Sequence, residues 1–178
     1  MPEIIETTVY RLGELSDDAK ERARSWFRGG IGNWDWYDFI YDDFDAICRI
    51  LGIELSTTPV RLYGGGTRDK PCIWFSGFSS QGDGACFEGG YRYQPGALKA
   101  LRDYAPKDAE LHRIAGALQK AQRRNFYRLN ADIRHRGHYC HSGCMAIDVE
   151  HEDNRWQALA PDTEDAVIQA LRDLADWL

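Results

Sequence analysis

The segment RHRGHYCHSGC, residues 134–144, places five side chains that can bind a metal within ten positions. They are His135, His138, Cys140, His141 and Cys144. Thiolate and imidazole are ligands that suit zinc, so the last four of these are a candidate zinc site at a predicted hairpin tip. A structural zinc site usually takes a ligand pair from a second segment, and the sequence shows no CxxC pair and no such second pair. We therefore favour a polar, histidine-rich turn over a metal site and predict no cofactor.

A second candidate is the glycine-rich stretch SGFSSQGDGACFEGG, residues 76–90. It has neither the GxxxxGK[ST] pattern of a P-loop nor GxGxxG, and it has no lysine to hold a phosphate. Gln81, Asp83 and Glu88 could line a small polar site. Cys86 has no fixed base in view, so the sequence does not predict a nucleophile. We interpret the stretch mainly as turn glycines and packing aromatic residues.

The third feature is a run of aspartates on a helix predicted from about Trp34, capped by Asn33, to Leu51. The aspartates are spaced by 3, 4 and 3 positions, which stacks them on one face that we expect to be exposed. They are Asp35, Asp38, Asp42 and Asp45. The opposite, apolar face is expected to be buried and consists of Trp36, Ile40, Phe44, Ile47 and Leu51.

Like charges at these spacings destabilise a helix by about 0.2–0.5 kcal/mol per pair. One interpretation of the aspartates is a solvated face answered by basic neighbours such as Arg49. The other is a docking surface for a protein partner with a basic surface, in which Trp34 and Tyr41 supply aromatic contacts.

Hydrophobic spacing and turn residues predict the elements that position these groups. Strands are expected at residues 4–12, 53–63, 72–78 and 85–93, and in a hairpin of 126–135 with 144–151. Further helices are expected to begin at Ser16, Pro95, Asp108 and Asp162, and the first of them to stop at Gly29 and Gly30. One face of the long hairpin should be buried: Tyr127, Leu129, Ile133, Met145, Ile147 and Val149. The predicted fold is a single α+β domain over residues 1–178, with one mainly antiparallel sheet of five or six strands packed by about five helices.

Composition narrows the function classes. The net charge of −6 and the pI near 5.4 disfavour binding to nucleic-acid phosphates, which requires clustered Lys and Arg. The odd number of five cysteines is most simply explained by reduced thiols. The acidic N-terminal stretch is untypical of a signal peptide, and no segment approaches the roughly 18 apolar residues of a membrane span. We expect a cytoplasmic protein without a membrane partner.

Two blocks of sequence resemble segments of small uncharacterised proteins of bacteriophages and bacterial mobile elements. The blocks are IWFSGFSSQGDGACFEG (residues 73–89) and RGHYCHSGCMAIDVE (residues 136–150), about a fifth of the chain. Some of these proteins carry the label "antitoxin of a toxin–antitoxin stability system". The resemblance implies a phage or bacterial accessory protein, a class in which many members bind a host protein, and it implies no catalytic residue.

Two hypotheses follow. The first is a non-enzymatic, protein-binding inhibitor of a host defence or toxin system in the bacterial cytoplasm, acting through the acidic helix. The second is a small metal-dependent or hydrolytic enzyme centred on residues 138–144, with Asp83 or Glu88 nearby. Direct DNA binding is disfavoured because the basic residues of the fourth predicted helix cluster near its C-terminus, where the helix dipole accounts for them.

Overall fold

The computed structural model describes residues 8–31, 37–77, 79–152 and 159–178. The chain forms two compact units, residues 1–38 and residues 39–178. The predicted α+β class is confirmed: the described residues form five α-helices, a four-stranded antiparallel sheet and two small two-stranded sheets. Among these residues, none of the helices has both the length and the apolar character that a membrane crossing requires.

In the first unit, residues 8–11 form no strand, and Leu12–Glu14 forms a short 3₁₀ turn. The strand predicted at residues 4–12 is therefore wrong in its described part; residues 1–7 lie outside the described residues. The Glu14 carboxylate accepts the backbone N–H of Arg11 at 2.8 Å, which favours the turn over an extended chain. Helix α1 spans Asp17–Ile31, and Ser16 caps it by accepting the N–H of Ala19 at 3.4 Å. The helix continues past Gly29, which keeps negative φ, so the predicted stop is wrong.

Helix α2 spans Asp38–Leu51 and buries Phe44, Ile47, Cys48 and Leu51. It begins later than predicted, since Tyr37 lies in a turn; Asn33, Trp34, Asp35 and Trp36 lie outside the described residues. Ile40 was expected in the core but is 39% exposed. It lies in the first turn of α2, ahead of Phe44, the first residue of this helix to be buried in the core.

The described part of the chain forms eight strands, numbered here in chain order. They are β1 (Ile53–Leu55), β2 (Thr57–Arg61), β3 (Thr67–Pro71), β4 (Ile73–Phe75), β5 (Ala85–Phe87), β6 (Gly89–Arg92), β7 (Leu129–His135) and β8 (Met145–His151). The main sheet has the order β1-β6-β7-β8, while β2 pairs with β3 and β4 pairs with β5. Strand β3 was not predicted, because its sequence TRDKP has no apolar alternation and most of it is exposed.

The predicted hairpin of β7 and β8 is confirmed. Its register pairs Ala131 with Val149 and Ile133 with Ile147, and the expected face points into the core. Tyr127 departs from the prediction: it is 42% exposed and, with Phe126, has positive φ. The two residues form a left-handed turn ahead of β7, so the alternating pattern begins only at Leu129.

Helices α3 (Ala97–Tyr104), α4 (Ala109–Arg124) and α5 (Pro161–Trp177) complete the second unit, and α4 packs against both α3 and α5. Asp108 caps α4 as predicted, through the N–H of Leu111. Helix α3 begins after Pro95 and Gly96, which form a turn. Helix α5 begins at Pro161. Proline suits the first position of a helix, because a backbone N–H there would have no partner within the helix. Asp162 was expected to cap this helix but lies in its first turn.

Candidate functional site

Two hairpin loops meet at one end of the second unit. The loop of residues 76–84 joins β4 to β5, and the loop of residues 136–144 joins β7 to β8. Two glycines allow the approach: a Cβ at Gly82 would lie 2.5 Å from the ring of Tyr139, and one at Gly84 would lie 2.9 Å from Cβ of His141. The two loops, distant in sequence, thus lie against each other.

A cluster of two thiols and an imidazole lies where these loops join their strands. Ligand-type atoms of Cys86, His135 and Cys140 all lie within 4.8 Å of one another. Cys86 in β5 is fully buried, whereas His135 at the end of β7 and Cys140 in the loop are half-buried. We call these three residues the Cys86 cluster. It combines soft ligands from two separate segments, which is the arrangement that the sequence did not reveal.

Burial raises the pKa of the Cys86 thiol to about 12, with further contributions from neighbouring Cys140, Cys144 and Glu88. Without a bound cation the Cys86 thiol is therefore protonated at neutral pH. A protonated, buried thiol is a poor nucleophile, since the thiolate is the reactive form. The Cys86 thiol is therefore not set up for direct nucleophilic chemistry.

Hydrogen bonding sets the tautomer of His135. Its Nε2 lies 2.9 Å from the carbonyl oxygen of Tyr139. A carbonyl can only accept, so Nε2 carries the proton and Nδ1 keeps a free lone pair in the neutral ring. The backbone N–H of His135 donates to the Glu88 carboxylate at 3.0 Å, and the ring lies against Trp74 with centroids 5.0 Å apart. His135 is thereby held in the form in which imidazole binds a metal.

His141 has a different role. Its Nδ1 accepts the backbone N–H of Gly143 at 3.1 Å, so the proton of the neutral ring lies on Nε2. That Nε2 lies 3.3 Å from Sγ of Cys144 and donates to it. Both nitrogens of His141 are engaged, and the residue acts as a hydrogen-bond donor to sulfur. His138 is exposed and packs edge-on against Tyr139, so the structure does not bring it into the Cys86 cluster.

Of the predicted polar residues Gln81, Asp83 and Glu88, the two carboxylates accept hydrogen bonds from the backbone. The Asp83 carboxylate accepts the N–H groups of Ser80 at 2.6 Å and Ser79 at 3.0 Å, bonds that lower the pKa of Asp83. Glu88 accepts the backbone N–H of His135, and Gln81 is exposed. Asp83 therefore shapes the first loop, while Glu88 positions the end of β7.

The aspartates of α2 fall into two groups. Asp38 and Asp42 are exposed, and among the described residues neither has an ion-pair partner. Asp45, expected to be exposed, is half-buried and forms an ion pair with Arg49 at 2.5 Å, because the helix places Arg49 one turn further along the same face. Tyr41 packs partly buried against the core, while Trp34 and Asp35 lie outside the described residues.

Sequence reasoning did not group Cys86 with His135 and Cys140, and it left both Cys86 and His135 out of the candidate metal site. Both were visible as ligand-type side chains, but Cys86 lies in a segment that has no second cysteine or histidine beside it. Its partners come from β7 and the loop that follows, and only the packing of the two hairpins brings them together.

A family model described as Domain of unknown function (DUF8835) matches residues 36–178. No curated protein and no solved structure matches the chain. The matched range contains the whole of the second unit, including both hairpin loops and the Cys86 cluster.

Proposed function

The chain belongs to the DUF8835 family, and we propose that it is a non-enzymatic protein-binding protein that engages a partner with a basic surface through α2. The observation that carries the proposal is the pair of exposed aspartates, Asp38 and Asp42, without ion-pair partners among the described residues. Phe39 lies beside them and is 79% exposed. We call these three residues the acidic surface.

The repulsion between these aspartates supports a functional role for the acidic surface. Two like charges one turn apart destabilise a helix by about 0.2–0.5 kcal/mol, a cost that a mixed-charge face would avoid. Phe39, exposed beside these aspartates, adds aromatic contact area of the kind that contributes strongly to interfaces. Charge of one sign accelerates encounter with a partner of opposite sign and disfavours wrong partners.

The partner class follows from the resemblance of residues 73–89 and 136–150 to phage and mobile-element proteins. We propose a protein of a host defence or toxin system, bound in the bacterial cytoplasm and inhibited by occlusion. The net charge of −6 is consistent with such a basic partner.

The test compares three forms of the full chain: wild type, Asp38→Asn with Asp42→Asn, and a matched control with Asp165→Asn and Asp176→Asn. The control removes the same charge from exposed positions on α5. Proteins captured from a bacterial lysate by wild type are purified, and their association rates with each form are measured. We expect the α2 variant to associate about tenfold more slowly at low salt and the control to behave as wild type. Equal rates for the two variants would contradict the proposal.

A metal-dependent enzyme is the second candidate, favoured by the convergence of Cys86, His135 and Cys140. Replacing the four residues of the 138–144 segment that can bind a metal should leave partner binding unchanged under the first proposal. If the variant at residues 138–144 loses an enzymatic activity while the α2 variant keeps its affinity for the partner, the metal-dependent enzyme becomes the preferred function.

A further inference from the structure

We propose that Cys86, His135 and Cys140 bind a zinc ion, with Cys144 as the fourth ligand, and that the ion clamps the β4–β5 hairpin to the β7–β8 hairpin. The inference does not depend on the proposed partner-binding function. It differs from the ligand set suggested by the sequence, because Cys86 and His135 replace His138 and His141.

The ligand chemistry selects zinc or a similarly soft cation. Three sulfur atoms and one imidazole nitrogen form a Cys₃His set, which is common in closed tetrahedral zinc sites. Calcium and magnesium prefer oxygen ligands, and the Cys86 cluster offers none. The mutual separation of at most 4.8 Å among the three ligand atoms fits atoms that share one small cation after modest side-chain adjustment.

The surrounding hydrogen bonds match those of a zinc site. Metal-bound histidines nearly always donate their other N–H to a carbonyl or carboxylate, as His135 does to Tyr139. The N–H of His141 donates to Cys144, which would stabilise that sulfur as a thiolate ligand. Cys144 ends the short 3₁₀ turn Ser142–Cys144, and this turn contacts strand β5, which carries Cys86.

The Cys86 cluster lies where a bound metal would anchor the loop of residues 136–144 to the core. The loop of residues 136–144 buries no residue, and Tyr139 at its tip is 57% exposed. Apolar burial therefore contributes little to holding this loop in place. A metal that joins Cys86 in the core to Cys140 in the loop would supply the missing anchor, as structural zinc does where a hydrophobic core is insufficient.

The test loads the full-length chain with zinc under reducing conditions, removes unbound metal by gel filtration and measures the retained zinc by elemental analysis. We expect about one zinc per wild-type chain, as for a closed site. Cys140→Ser and His135→Asn should bind at least about tenfold more weakly, since loss even of a supporting group costs 10–100-fold. The matched controls are Cys48→Ser, a buried thiol of α2, and His138→Asn, on the same loop; both should bind as wild type.

Cobalt substitution identifies the fourth ligand. Cys144→Ser should lower the thiolate-to-cobalt charge-transfer absorbance by about one third, because one of three thiolates is removed. Thermal unfolding with zinc or with a chelator separates ligand loss from misfolding. Zinc should raise the Tm of wild type by more than that of Cys140→Ser, while the two should unfold at the same temperature with chelator. A wild-type chain that retains no zinc, or a Cys140→Ser variant that retains as much as wild type, would overturn the proposal.

Discussion

The ring of Tyr139 lies directly over Gly82, so that a Cβ added at residue 82 would come within 2.5 Å of Cδ1 of the ring. This contact joins the tips of two hairpins that are more than fifty residues apart in the chain. Gly82 also has φ of +93°, a conformation that L-residues adopt at a cost. A single glycine therefore serves both the turn and the approach of the second loop.

We expect Gly82→Ala to lower the free energy of unfolding by about 1–2 kcal/mol through backbone strain and by about a further 1 kcal/mol through the clash. Gly65→Ala is the matched control, since Gly65 has φ of +89° and open space around its Cβ position. Urea unfolding of both variants measures the difference. Adding Tyr139→Ala to Gly82→Ala should remove the extra cost, and equal effects of the two glycine variants would contradict the contact.

A buried glutamine connects α4 to the start of β7. The Gln122 side chain is fully buried; its Nε2 donates to the carbonyl of Leu129 at 2.7 Å, and its Oε1 accepts the N–H of Leu129 at 3.1 Å. Gln122→Leu leaves both backbone groups without these partners, so we expect a loss of about 2–4 kcal/mol in denaturant unfolding. Tyr91→Phe removes only a longer bond to Gln122, at 3.3 Å, and should cost less than about 1 kcal/mol. Similar losses in the two variants would contradict a larger contribution of the Gln122–Leu129 bonds than of the Gln122–Tyr91 bond.

Asp108 links the start of α4 to the end of α5. Its carboxylate accepts the N–H of Leu111 at 2.9 Å and the indole N–H of Trp177 at 3.0 Å. The Leu111 bond is the main cause of the lowered pKa of Asp108. Asp108→Ala should cost about 1 kcal/mol at neutral pH, as the loss of a helix cap usually does.

The pH dependence of this variant follows from the sign of the pKa shift. Because the folded state lowers the pKa of Asp108, its carboxylate stabilises the protein above the pKa of an unfolded aspartate. That contribution is lost as pH falls through the lowered pKa, so the stability difference between wild type and Asp108→Ala should narrow in acid. Unfolding curves measured over an acidic pH series check this. If the difference in free energy of unfolding between wild type and Asp108→Ala stayed constant, the ionised carboxylate would not be the form that caps α4.

The acidic surface should contribute little to folding. We expect Asp38→Asn with Asp42→Asn to change the free energy of unfolding by less than about 0.5 kcal/mol, because exposed charges without partners stabilise little. Asp45→Asn should cost slightly more, since it breaks the ion pair with Arg49. The association rate of wild type with its partner should fall as salt rises, whereas that of the α2 variant should depend less on salt. A large loss of stability in the double variant would mean that these aspartates have a structural role.

The sequence by itself determined the elements whose signals are local. The alternation from Leu129 to Ile133 and from Met145 to Val149 predicted the β7–β8 hairpin, because strand geometry sends every second side chain to one face. The start of α4 at Asp108 was also predicted correctly, because a side-chain oxygen at that position caps free N–H groups of the first turn. Where the local signal was ambiguous, as in residues 8–12 and at Ile40, the prediction was wrong.

Only the tertiary structure decided which chemical groups meet. Cys86 is distant in sequence from both His135 and Cys140. The hydrophobic periodicity of the strands does not predict that the β4–β5 hairpin packs beside the β7–β8 loop. Secondary structure depends on neighbours a few residues apart, whereas the cluster depends on the packing of elements about fifty residues apart. Packing of that range is fixed by burial of the whole core and by close approaches such as those at Gly82 and Gly84, which a single sequence does not display.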